Sequence, residues 1–213
     1  MDTSERRSHW DSVYEARAPE EVSWFQPSPD RSLALIERAG VAKDAAILDV
    51  GGGASRLAGA LLERGFSDVS VLDISERALA KAREPLGARG DEVQWIVADV
   101  TEASLERRYA LWHDRAVFHF LVDEDDRRRY RELLRRSTIP GAHIVVATFA
   151  LDGPERCSGL PIVRYSPQSL LAALSPGLAA LGPDLTLVES EAEEHPTPAG
   201  KVQRFVYCRF RRE

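Results

Sequence analysis

The chain has 213 residues, 44% hydrophobic and 29% charged, with two cysteines and a formal charge of -6 at pH 7. That length supports one complete α/β core, the composition excludes a disordered chain, and the charge gives no global pull toward nucleic acid or an anionic membrane. Cys157 and Cys208 form neither a disulfide framework nor a CxxC metal motif, so a reducing cytoplasm is the expected compartment.

The opening MDTSERRSHW has no apolar signal core, and no run approaches the roughly 18 apolar residues that span a bilayer. Residues 1–28 are read as an N-terminal lid or approach segment, and residues 29–213 as a single domain. Ser28 and Pro29 are expected as N-cap and first residue of a helix that Gly40 ends. AAILDV then reads as a buried strand. ASRLAGALLERG reads as a helix with Leu57, Leu61 and Leu62 inward and Gly65 as its stop.

The alternation continues with the strand VSVLD, a helix capped by Ser75, the strand VQWIVAD and another strand inside YALWHDRAV. A charged helix follows from about Glu124 to Arg136, then the strand HIVVATF and a helix from about Pro167 to Leu174. RRYRELLRR within the charged helix is basic, but it alternates with apolar residues as a wet helix face does. The last two strand-like runs, LTLVESEAEEH and KVQRFVYCRFR, are joined by a connection too short for a parallel crossover. The pattern predicts a parallel sheet with helices on both faces and a C-terminal antiparallel pair.

ILDVGGGAS is the strongest local signal. Gly51, Gly52 and Gly53 lie between strand and helix, where missing side chains let the backbone turn sharply and approach a ligand. The dinucleotide pattern G-x-G-x-x-G fails because Arg56 stands where its third glycine belongs, and a phosphate loop fails for lack of its lysine. Asp49, just before the turn, would repel a pyrophosphate and welcome a cation. Asp73 ends the next strand, where a carboxylate can bridge ribose hydroxyls, and Asp99 with Val100 follows the third. One such aspartate is commonly a helix cap. Three around one glycine turn are hard to assign to caps.

Through DVGGGAS, VLDIS and VADVT the sequence resembles the class I S-adenosylmethionine-dependent methyltransferases over about residues 30–211. The resemblance implies a Rossmann-like, seven-stranded mixed α/β sheet and S-adenosylmethionine as cofactor. It implies that Asp49 and the backbone at Gly51, Gly52 and Gly53 hold the methionine portion, that Asp73 and Ile74 hold the ribose, and that Asp99 and Val100 hold the adenine. Asp114 matches the family's cofactor- or substrate-contacting position after the fourth strand. Segments before the first strand often cover the cofactor in this family, which makes Trp24 a cofactor contact and His9, Trp10, Tyr14, Phe25 and Gln26 lid candidates.

Displacement at a sulfonium methyl needs an acceptor held in line and relieved of its proton where necessary, and no metal. The expected reaction centre is LWHDRAVFHFL, with His119 as proton acceptor or orienting group and Asp114 beside it. If the stretch after the strand is helical, Arg115 and His119 share a face. His113, Arg115, Phe118 and Phe120 are expected to shape the acceptor pocket with Trp10, Tyr14 and Phe25. Arg164 and Tyr165 join them from the long connection after the fifth strand, which also carries Arg156 and Cys157. His195, Thr197 and Gln203 are minor candidates at the last hairpin.

The expected function is methyl transfer to a small-molecule acceptor by a monomer or homodimer, without nucleic acid or membrane partners. One alternative is a protein lysine methyltransferase, which Trp10-x-x-x-Tyr14 and Ser23-Trp24-Phe25 also resemble. The others are a noncatalytic S-adenosylmethionine-binding regulator and, further off, a nicotinamide oxidoreductase.

Overall fold

The computed structural model describes residues 1–176 and 184–213. Helix α1 (Thr3–Ala16) opens the chain, closed by a capping box: Asp2 accepts from the Glu5 N–H and the Glu5 carboxylate accepts from the Asp2 N–H. Helix α2 (Asp30–Ala39) then precedes β1 (Ile47–Val50), α3 (Leu57–Glu63) precedes β2 (Val69–Asp73), and α4 (Glu76–Arg83) precedes β3 (Val93–Val97). Strand β4 (Tyr109–Arg115), helix α5 (Glu124–Ser137) and strand β5 (Thr138–Phe149) follow. A small hairpin, β6 (Arg156–Cys157) and β7 (Leu160–Pro161), and helix α6 (Pro167–Leu174) lead to β8 (Leu185–Pro196) and β9 (Val202–Arg212).

Two local expectations shift. Helix α2 begins at Asp30 with Pro29 in the cap position, because the Ser28 hydroxyl donates to the Asp30 carboxylate instead of capping backbone amides. Residues 3–16, read as part of a lid or approach segment, are helical.

The main sheet has the order β3-β2-β1-β4-β5-β9-β8. Strands β1 to β5 pair in parallel, and β9 inserts antiparallel between β5 and β8. The chain runs from β1 outward to β3 and re-enters on the other side of β1 as β4. The carboxyl ends of β1 and β4 therefore flank a switch point, where an open α/β sheet leaves a crevice.

Strand alternation divides the core. Ile47 and Leu111 pack with Leu33, Ile36 and Leu61 on one face, while Leu48, Val50 and Trp112 pack with Tyr130, Leu134 and Ile144 on the other. Asp49 and His113 continue the first face, and Asp114 continues the second. Among the described residues no helix is long and apolar enough to cross a membrane.

Candidate active site

The glycine turn follows from contact distances. Gly51 and Gly53 have φ of 63° and 53°, which disfavours a side chain at either. A Cβ on Gly51 would collide with the Val117 side chain, and one on Gly52 with Val71 and the Asp49 carboxylate. The Gly53 N–H donates to Asp73 over 2.9 Å and the Ser75 N–H donates to its other oxygen over 2.8 Å. Burial pushes the Asp73 carboxyl up to about 6 against those two N–H groups, with Asp49 adding to the rise.

Asp49 and His113 are register partners on β1 and β4, and the Asp49 carboxylate accepts from the His113 ring over 2.7 Å. At the end of β3, Asp99 accepts from the N–H and hydroxyl of Thr101 with one oxygen, and from Arg6 Nε over 2.8 Å with the other. An adenine contact at Asp99 has to share that carboxylate with Arg6.

Above these groups lies one cavity running from Asp73, Ile74, Asp99 and Val100 to Arg115, Phe120 and Cys157, and a second bounded by Asp49, Gly52, Phe25 and His113. Tyr14, Trp24, Gly51 and Arg115 line both, so the two spaces adjoin. Arg6, Trp10 and Tyr14 recur every four residues along α1, and all three line the first cavity. Trp10 meets Trp24 and Phe120 edge to face, with ring centroids 5.7 and 5.2 Å apart.

Three solved structures share this architecture. One, described as the conversion of a disulfide bond into a thioacetal group during echinomycin biosynthesis, is 25% identical, with 97% of this chain and 93% of that chain covered and a TM-score of 0.74. The Burkholderia thailandensis 1,6-didemethyltoxoflavin-N1-methyltransferase, bound to 1,6-didemethyltoxoflavin and S-adenosylhomocysteine, is 22% identical over 99% of this chain and 86% of its own, with a TM-score of 0.70. The N-methyltransferase NodS from Bradyrhizobium japonicum is 17% identical over 96% and 98% of the two chains, with a TM-score of 0.67. No curated protein matches the chain in sequence. A family model described as Methyltransferase domain matches residues 47–141, from β1 to the start of β5. The chain has the fold of the class I S-adenosylmethionine-dependent methyltransferases, with a methyltransferase domain that includes the glycine turn and β4.

The groups after β4 are sorted by strand alternation, which sets part of the expected reaction centre away from both cavities. Asp114 is fully buried on the α5 face, where it accepts from the Val117 and Phe118 N–H groups and from the Tyr130 hydroxyl at 2.7 Å. It caps the turn after β4 and lines neither cavity. Burial raises its carboxyl to about 6, against the hydrogen bonds from Tyr130 and Val117.

The chain turns at Ala116, with φ of 71°, so Arg115 ends a strand while His119 lies in a short 3-10 turn. No common helix face joins them. His119 is fully buried and lines neither cavity; desolvation, then Arg115, lowers its ring to about 3. A proton-accepting role does not go with that position.

Phe118 and Tyr165 are also core residues, packed against each other with tilted rings and centroids 5.6 Å apart. Arg164 turns outward to Gly153 and Glu155. Arg156 closes its own hairpin on Gly159. None of these lines either cavity. His195 and Gln203 hold the N-terminal segment through Ser23, at 2.9 and 3.3 Å.

Arg115 lines both cavities. Its Nε donates to Tyr207 over 2.7 Å and its Nη1 to the Trp24 carbonyl over 2.9 Å, while Nη2, buried without a hydrogen bond, lies 4.0 Å from the Glu193 carboxylate. Cys157 faces the same space, its thiol pushed up to about 12 by burial. Arg6 and Ser32 were not anticipated. The four-residue spacing from Arg6 to Tyr14 carried the signal for the first; nothing in the local sequence marks the second.

Proposed function

We propose that the enzyme methylates a small-molecule acceptor held between the glycine turn and the aromatic underside of α1. The observation that carries this reading is the lid itself: Trp10, Trp24, Tyr14 and Phe120 close over the carboxyl ends of the strands and leave a short, aromatic-lined space beside Arg115 and Cys157. Such a space suits a compact, partly flat acceptor. The small acceptor bound in the toxoflavin enzyme supports the same class of substrate.

The residues fit the cofactor. The glycine cradle admits close approach, Asp49 presents a buried carboxylate oxygen to a cation, and Asp73 offers acceptors for hydroxyls. We assign Asp49 with Gly51, Gly52 and Gly53 to the methionine portion, Asp73 and Ile74 to the ribose, Asp99 and Val100 to the adenine, and Trp24 to the wall beside them. Bound S-adenosylmethionine supplies a methyl carbon activated by its sulfonium, open to in-line attack. The protein holds the acceptor and excludes water with its aromatic lid, with the Arg115 guanidinium on the wall of both cavities.

Incubation of the purified enzyme and methyl-labelled S-adenosylmethionine with fractionated cell extract tests the reading. Label is expected in a low-mass metabolite. Label confined to protein would overturn the acceptor class in favour of lysine methylation, and cofactor binding without transfer across all fractions would leave a regulator.

A further inference from the structure

His113 stood in the sequence as an acceptor contact, yet its ring is held on both nitrogens by other parts of the chain. Nδ1 lies 2.7 Å from Asp49 and Nε2 lies 2.9 Å from the Ser32 hydroxyl on α2. Ser32, Asp49 and His113 are 1%, 3% and 2% exposed, and all three border the second cavity. A carboxylate only accepts, so Nδ1 carries the proton; in the neutral ring Nε2 then accepts from the Ser32 O–H. Asp49 selects this tautomer, and Ser32 holds the ring's orientation: without its hydroxyl the buried Nε2 lone pair loses its donor and the imidazole is no longer anchored to α2.

Asp49 has no other side-chain partner among the described residues, and its second oxygen lies beneath Gly52 with no hydrogen bond. An ionised carboxylate at that depth is costly unless something orients and satisfies it. One oxygen is satisfied by His113. The other is left to a cation entering the cavity.

We propose that His113 is a positioning residue, oriented by Ser32, which fixes the Asp49 carboxylate so that its free oxygen receives the ammonium end of the cofactor. This rests on the assignment of Asp49 to the methionine portion. It goes further in making α2, through one serine hydroxyl, part of cofactor selection. His113 acts through Asp49 and contributes nothing to the nucleoside end, which lies across the glycine turn at Asp73.

Two probes separate the ends: S-adenosylhomocysteine, which carries the aminocarboxylate, and 5′-methylthioadenosine, which lacks it. By calorimetric titration, His113→Leu is expected to weaken S-adenosylhomocysteine by about tenfold, the scale of one lost hydrogen bond to a charged group, and to leave methylthioadenosine unchanged. His113→Asn, which restores an N–H near Nδ1, regains most of the loss. In an Asp49→Asn background His113→Leu adds nothing.

Ser32→Ala shows a smaller loss with the same selectivity, and it carries the test should His113→Leu fail to fold. Equal weakening of both probes, or of neither, in the variant that folds overturns the positioning role. A wild-type protein that binds neither probe overturns the cofactor assignment itself, and this inference with it.

Discussion

Arg6 on α1 donates from Nε to Asp99 at the end of β3 over 2.8 Å, and from Nη1 to Asp126 on α5 over 3.0 Å. Its Nη2 donates to the Thr101 hydroxyl, also over 3.0 Å. One guanidinium thus ties the N-terminal helix to two elements around the first cavity. The fixed fork of an arginine suits three separate acceptors as a lysine could not.

Replacing Arg6 with alanine strands the Asp99 carboxylate, only 4% exposed as a side chain, and the cost is expected to reach about 2 kcal/mol. The helix should loosen with it. Limited proteolysis is expected to cut within residues 1–28 of Arg6→Ala well before wild type, and a shift in tryptophan emission should report Trp10 and Trp24 leaving their edge-to-face contact. Unchanged cleavage would mean that α1 is held by other contacts, such as Asp11 with Ser75.

Asp73 gives a pH dependence with a definite sign. Its folded carboxyl is raised to about 6 from an ordinary value of 3.8, so it is protonated in part at mildly acid pH. Ribose hydroxyls donate to the ionised form, so affinity for S-adenosylhomocysteine is expected to fall as pH drops through about 6. Titration between pH 5 and 8 should show that step in wild type and lose it in Asp73→Asn, on top of a uniform weakening. A flat wild-type profile would remove Asp73 from the ribose site.

Much of this architecture was legible. The strand-helix alternation, the antiparallel closing pair, and the glycine turn with its acidic strand ends all follow from periodicity and turn chemistry, and each stands where expected. The reaction centre was less legible because WHDR reads as one cluster in sequence, whereas a strand sends His113 and Arg115 to one face and Asp114 to the other. No local pattern could show that Tyr130, on the next helix, would claim Asp114. Ser32 was invisible for the same reason: its partner is a histidine 81 residues on, with β1, β2 and β3 between them in the chain.

Asp114 is predicted to matter to stability rather than to turnover by direct contact. Its folded carboxyl, raised to about 6, makes the protonated form the more stable one. That contribution is fully present below the ordinary value near 4 and is lost as pH rises through 6. Asp114→Asn removes this titration but turns an amide toward donors from Val117, Phe118 and Tyr130, leaving at least one unsatisfied, at about 2 kcal/mol. Thermal melts from pH 4 to 7 should show a lower melting temperature for the variant at pH 7 and a pH response without the wild-type Asp114 component. Loss of turnover with stability untouched would return Asp114 to the reaction centre.

His119 supplies the opposite sign. Its folded ring titrates near 3, against an ordinary 6.5, because burial and then Arg115 disfavour the cation. The unfolded chain therefore binds the extra proton first, and stability is lost as pH falls from about 6.5 toward 3. Nδ1 accepts from the Phe149 N–H at 3.4 Å, which leaves the proton on Nε2, buried without a partner. His119→Phe removes both the acid-sensitive group and the orphaned donor. The variant should unfold at a lower pH than wild type while its turnover keeps the wild-type pH profile. A turnover profile that loses an ionisation in His119→Phe would show that the ring exchanges protons with the acceptor after all, and would require the 3-10 turn to open toward the cavity during the reaction.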